Sequence, residues 1–262
     1  MMNDQGHILQ GGANGRGAGA FTLVELLIVI AIIGILASMS LVVINRVNVS
    51  AKKTQAKLEV TYLQGAIQQY EIIYSHFPVS TAVQQSGLKN VTYGGVYHNA
   101  SGTQWPPAPS PANYQPNNSD VISILLDLTS FPGGGGATVN TNHQLNSQRT
   151  IFLTAKMTGD TSSPGIGTDL NYRDPWGNPY IISMDLNGNN QCEDDFYASP
   201  AVSASVGSGG LVLQADGNYA FNGNVMVWSM GPNGPYGRSP SSFNASALAT
   251  DSSNKNHILS WQ

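Results

Sequence analysis

The pattern of apolar and polar positions divides the chain into unlike parts. From Leu26 to Asn45 there are 20 residues without a charge, about 30 Å as a helix, which is the hydrocarbon thickness of a bilayer. Beyond Arg46 the apolar residues become periodic: Leu58, Tyr62, Ala66, Tyr70 and Tyr74, flanked by Leu63, Ile67, Ile73 and Phe77, mark one helical stripe that packs on a core of its own. No proline falls between Phe21 and Phe77, so one uninterrupted helix is expected, ended by Pro78. The next segment, 79–170, gives weak signals: an extended Trp105-to-Pro111 stretch, an apolar run Val121–Leu128 that suits a short helix or a buried strand, and a loop at Phe131–Gly136. Strand patterns then sharpen at Tyr180–Met184, Leu211–Leu213, Tyr219–Phe221 and Val225–Met230, and Asp174-Pro-Trp-Gly177 has the residue order of a type I turn. An antiparallel sheet follows from these.

Composition removes several function classes. A net charge of −4, with no basic cluster larger than Lys52-Lys53-x-x-x-Lys57, gives no footprint for nucleic acid. The single Cys192 excludes an internal disulfide. Its neighbours Glu193 and Asp194 raise a thiol's pKa, which argues against a nucleophile. His7, His76, His98, His143 and His257 are scattered without zinc-site spacing, and the glycines at 133–136 lack the Lys-Ser/Thr ending of a phosphate loop. No enzyme is expected.

Phe21-Thr-Leu-Val-Glu-Leu-Leu27, after the small residues Gly17-Ala-Gly-Ala20 and opening the apolar run, strongly resembles the N-terminal signature of type IV pilins and pseudopilins. The resemblance implies cleavage by a prepilin peptidase between Ala20 and Phe21, with N-methylation of Phe21. A cut after Gly19 would move Glu25 from the fifth mature position to the sixth, so the cut after Ala20 is preferred. Four further stretches, Lys52–Lys57, Tyr74-Ser-His-Phe-Pro78, Asp174-Pro-Trp-Gly-Asn-Pro-Tyr180 and Val227-Trp-Ser-Met-Gly231, are similar to the major pseudopilin of type II secretion, the protein G class. On that likeness the fold is α+β and pilin-like: a leader (1–20), a transmembrane helix (21–45), its amphipathic continuation (46–78), a loop-rich insertion (79–170) and a head of antiparallel sheet with a tail (171–262). Charge bias alone would reverse the orientation, because Arg16 is the leader's only cation while Arg46, Lys52, Lys53 and Lys57 follow the apolar run. The motif outweighs it, placing the leader in the bacterial cytoplasm and the head in the periplasm after a single pass of the inner membrane.

The candidate site residues follow. A carboxylate at membrane depth needs a partner or a task. For Glu25 the resemblance supplies one, the amine freed on Phe21 of a neighbouring subunit, while Ala31, Gly34 and Ser38 permit close helix contact. Asp185-x-Asn187-x-Asn189, followed by Asp194 and Asp195, spaces oxygen ligands like the start of a calcium loop, without the glycine and terminal glutamate of that motif. The protein G likeness implies calcium instead in the loop Ser229–Gly237 and the tail near Asp251. Expected partners are identical subunits in a filament, the prepilin peptidase, minor pseudopilins, an inner-membrane assembly platform and the membrane itself. Export across the outer membrane is the function implied, with a structural or adhesive pilus subunit and a tethered carbohydrate-binding domain as rivals.

Overall fold

A computed structural model describes residues 21–95, 97–98, 104–105, 112–204, 209–233 and 256–262. The leader with Ala20, the tail with Asp251 and residues 234–237 of the loop after the last long strand lie outside them. The chain divides after Val47 into two compact units.

Helix α1, Leu23–Tyr74, is continuous by hydrogen bonding and 52 residues long. It stops at Ser75, whose φ of 57° is left-handed and whose N–H donates to Glu71 O at 2.7 Å, three residues before Pro78. In the second unit α1 buries Ala56, Val60, Leu63, Ala66, Ile67 and Tyr70, a spacing alternating between four and three residues. Leu58 and Tyr62, read from the sequence as part of this face, are instead 51% and 65% exposed. They lie about 200° round the helix from Ala56 and Val60, at 100° per residue. The period was legible, but its phase needed the partner surface.

The remaining helices are short: α2 (Thr81–Gln84), α3 (Ser119–Leu125) and α4 (Pro200–Ser203). The strands are β1 (Asn90–Tyr93), β2 (Tyr97–His98), β3 (Gln104–Trp105), β4 (Tyr114–Gln115), β5 (Gly165–Ile166), β6 (Tyr172–Arg173), β7 (Ile181–Asp185), β8 (Gln191–Cys192), β9 (Leu211–Leu213), β10 (Tyr219–Asn222), β11 (Val225–Ser229) and β12 (Ile258–Leu259). The main sheet has the order β12-β11-β7-β1-β4, and a three-stranded sheet has the order β8-β10-β9. All these pairs are antiparallel except β1 with β4, which is parallel. Segment 79–170 contributes to the head: β1 and β4 extend its sheet, and α3 is buried except at Asp120.

Alternation along β7 and β11 separates two cores. Ile182, Met184, Val225 and Val227 join the α1 face, α3 and Tyr93, while Ile181, Met226 and Trp228 join Cys192, Phe196, Tyr197, Val202 and Leu259. Successive side chains of a strand point to opposite faces. A sheet covered on both faces therefore reads as a nearly continuous apolar run, as Tyr180–Met184 and Val225–Met230 do, each interrupted by one serine, Ser183 or Ser229.

The second core holds a titrating group. Burial pushes the His257 imidazole down to about 3, and its Nδ1 lies 2.7 Å from the Tyr197 hydroxyl. The folded state keeps it neutral, whereas the unfolded chain takes up a proton below about 6.5. Its contribution to stability is complete above that pH and is lost as pH falls towards 3. His257→Gln should thus lose about 2 kcal/mol less than wild type between pH 7 and 4.5, a difference readable from urea midpoints at the two pH values. Equal losses would show that His257 carries no such linkage.

Candidate functional site

The N-terminal segment presents a defined local structure. Phe21 is 81% exposed, and Thr22 forms the helix cap. Its backbone N–H and its hydroxyl both donate to Glu25 Oε2 at 2.9 Å, and Glu25 N–H donates back to Thr22 Oγ1 at 3.2 Å. This is a reciprocal capping box, satisfying donors that a helix start otherwise leaves open. Thr22-x-x-Glu25 is its signature in the sequence, a local role for Glu25 that its reading as a membrane charge leaves out. Thr22→Val should lower the stability of this helix start by about 1 kcal/mol, seen as faster amide exchange at residues 23–25 and no change further along.

From Leu23 to Leu36 the apolar side chains are exposed on every side of the helix. Such a surface has no stable place in water and calls for lipid or other helices. Among the described residues no helix is long and apolar enough to cross a membrane. The side chains of residues 39–43, inside the uncharged run Leu26–Asn45, are not among those described.

Residues 15–41 match the prokaryotic N-terminal methylation motif. The motif is that of type IV pilin-like and pseudopilin-like precursors, and it implies membrane anchorage, processing by a prepilin peptidase and assembly into pilus-like multimers. It contains Phe21, Thr22 and Glu25, so the capping box lies inside it. No curated protein and no solved structure matches the chain.

Among the described residues the candidate acids of the head fall in two places. Asp185 accepts the backbone N–H groups of Asn187 at 3.2 Å and Asn190 at 2.7 Å. Asn187 Oδ1 accepts from Asn189 N–H, and Asn189 Oδ1 from Gln191 N–H. The alternate oxygens that suggested a calcium loop thus close successive turns on their own backbone. Asp185 lines a hollow with Glu71 and His76; Glu193, Asp194 and Asp195 line another, of about 350 Å³, with Asn90, Asn113 and Asn218. Burial, and then the neighbouring Asp194, push the Asp195 carboxyl up to about 6. Among the described residues no three His, Cys, Asp or Glu side chains are grouped to hold a metal ion.

Asp194 belongs to the second core. It is fully buried; Oδ1 accepts the N–H groups of Phe196 and Tyr197 at 3.1 and 2.9 Å, and Oδ2 accepts the Ser183 hydroxyl at 2.6 Å and the Trp228 indole N–H at 3.0 Å. Four protein donors thus already engage both of its oxygens. Nearby Cys192 is buried, and burial first, then Asp194, raise its thiol well above the ordinary range. The direction agrees with the sequence; the leading cause is the apolar surroundings rather than adjacent charge.

Two stretches that carried the protein G likeness meet in space. Asp174 accepts from Trp176 N–H and Asn178 N–H at 2.9 Å and from the Ser229 hydroxyl at 2.5 Å. Asn178 Nδ2 donates to Gly231 O at 3.2 Å, and Gly231 N–H donates to Ser229 Oγ at 2.9 Å. Gly177 N–H closes the turn on Asp174 O, with Gly177 at a φ of 92° that favours glycine. The Asp174 carboxyl is pushed up to about 6 by burial, with its hydrogen bonds opposing. A second unanticipated pair, His143 Nδ1 with Asp127 Oδ1 at 2.7 Å, fastens the loop that reaches Tyr70 and Tyr74 through Leu145 and Asn146.

Proposed function

We propose that this chain is a pseudopilin subunit of a type II secretion-like system. Cleavage between Ala20 and Phe21 frees an amine on Phe21, which is then methylated. The apolar half of α1 anchors the precursor as a single pass in the inner membrane, with the head in the periplasm. Mature helices then bundle into a filament that helps drive proteins through an outer-membrane channel, and the chain itself carries no catalysis. The observation that carries this reading is the methylation motif across 15–41 with Glu25 fixed in its first helical turn. The Asp174–Asn178 turn, bonded to Ser229 and Gly231, supports the pseudopilin assignment over a structural pilus subunit, because the two resembling stretches form one unit. Two of the tryptophans that a sugar-binding head could use are taken up by packing: Trp228 is buried, and Trp261 packs on Tyr197.

Deletion of the gene in its native cells should stop the appearance of exported proteins in the medium and leave surface fibres intact, with complementation restoring export. Loss of fibres with normal export would assign the chain to a pilus.

A further inference from the structure

Of the basic residues that follow the apolar run, two are already engaged. Lys53 Nζ donates to Asn256 Oδ1 at 3.0 Å, and Lys57 Nζ donates to the carbonyls of Leu259 and Gln262. They hold the segment that contains β12 against α1. Lys52 is different. It lines a hollow of about 260 Å³ together with Gln55, Glu59, Lys156, Pro164, Gly165, Tyr172 and Pro175. Lys156 stands more than a hundred residues away in the chain, and only the fold of the second unit brings it there. Among the described residues neither lysine has a carboxylate partner within salt-bridge distance. The one acid in the hollow, Glu59, is tied back by other donors: Gln55 Nε2 at 2.9 Å and the Tyr180 hydroxyl at 2.5 Å. The result is a concave surface with two ammonium groups, neither in a salt bridge, and one carboxylate held by neutral donors, a net positive hollow beside apolar walls from Tyr172, Pro164 and Pro175.

Position along α1 indicates the anion. Lys52 is seven residues beyond Asn45, the end of the uncharged run, about 10 Å at 1.5 Å per residue. Headgroup layers add only several ångströms to each side of the hydrocarbon, and a lysine stem is long enough to reach back to them. We infer that the Lys52–Lys156 hollow binds the phosphate of an anionic phospholipid at the membrane surface. The two ammonium groups hold the phosphate oxygens while the prolines and Tyr172 face the glycerol portion. This inference rests on the membrane anchorage proposed above.

The test uses the full chain in nanodiscs of phosphatidylglycerol or of phosphatidylcholine, with lysine reactivity towards an amine-modifying reagent read by mass spectrometry. Labelling of Lys52 and Lys156 should fall about fivefold in the anionic discs, with exposed Lys89 unchanged in both. The protection of Lys156 is decisive, because a charge that merely follows a membrane helix in sequence predicts protection of Lys52 alone. Equal labelling of Lys156 in the two lipids, in protein that co-migrates with the discs, would overturn the proposal. Inorganic phosphate added to phosphatidylcholine discs separates a headgroup from a soluble anion, and full protection by phosphate alone would overturn the lipid assignment. A chain that fails to enter discs of either lipid would sink the anchorage itself, a result distinguishable from the others by co-migration. In the anionic discs, Lys156→Gln should restore part of the labelling of Lys52 without altering incorporation.

Discussion

Glu25→Ala is expected to leave the chain in the membrane fraction and to abolish sedimentable filaments. In a single subunit the carboxylate sits in the first turn of α1, where the positive end of the helix dipole and the two Thr22 donors satisfy it. Bundling of apolar helices removes water from it, and a desolvated charge then needs an opposite charge nearby. The methylated amine proposed on Phe21 of a neighbour would provide it. Leaving one member of a buried pair without the other costs about 3–5 kcal/mol, more than a hundredfold per contact, and a filament repeats the contact at every subunit. Alanine also removes half of the capping box, so Thr22→Val serves as the control: it weakens the cap and keeps the charge. Filaments retained in Thr22→Val and lost in Glu25→Ala would assign the effect to docking. Loss in both would reduce Glu25 to a helix cap, and normal filaments in Glu25→Ala would refute the proposed contact.

Asp194→Ala is expected to destabilise the head by about 4 kcal/mol, a large share of the 5–15 kcal/mol typical of a domain. The substitution strands two backbone N–H groups, the Ser183 hydroxyl and the Trp228 indole N–H at once, in a core that holds Phe196 and Tyr197 against Trp228. Asp194→Asn keeps one acceptor oxygen and should cost about half as much, since the amide nitrogen cannot accept. Urea unfolding followed by tryptophan fluorescence measures both. The Asn variant should also shift the Trp228 indole resonance while leaving the fold intact, a signature that a remote packing defect would not produce. A loss below about 1 kcal/mol in Asp194→Ala would mean that water replaces the carboxylate and that the hub is not structural.

Features legible in the sequence differ from the others in the range of the interaction that sets them. The Asp174–Gly177 turn, the strands at 181–185, 211–213, 219–222 and 225–229, and the run from Phe21 into α1 were legible because each is set by neighbours a few residues away. Val121–Leu128 is ambiguous between helix and strand, since a short buried run has no polar face to reveal its period; the structure places its first five residues in α3, which ends at Leu125. Asp194 and Asp185 looked alike in an acidic loop. Both are buried, but one accepts from Trp228 inside the second core and the other closes the turn that follows β7.

The sequence by itself determined a long apolar helix opening on Phe21-Thr-Leu-Val-Glu25, its amphipathic continuation and a set of short strands, because period and cap chemistry are local properties of the chain. Only the tertiary structure decided which side of α1 is buried, that β1 lies inside the main sheet, that Asp194 serves a core, and that Lys156 stands beside Lys52. Each of those depends on contacts between residues far apart in the chain, where one face or one charge is chosen by what covers it.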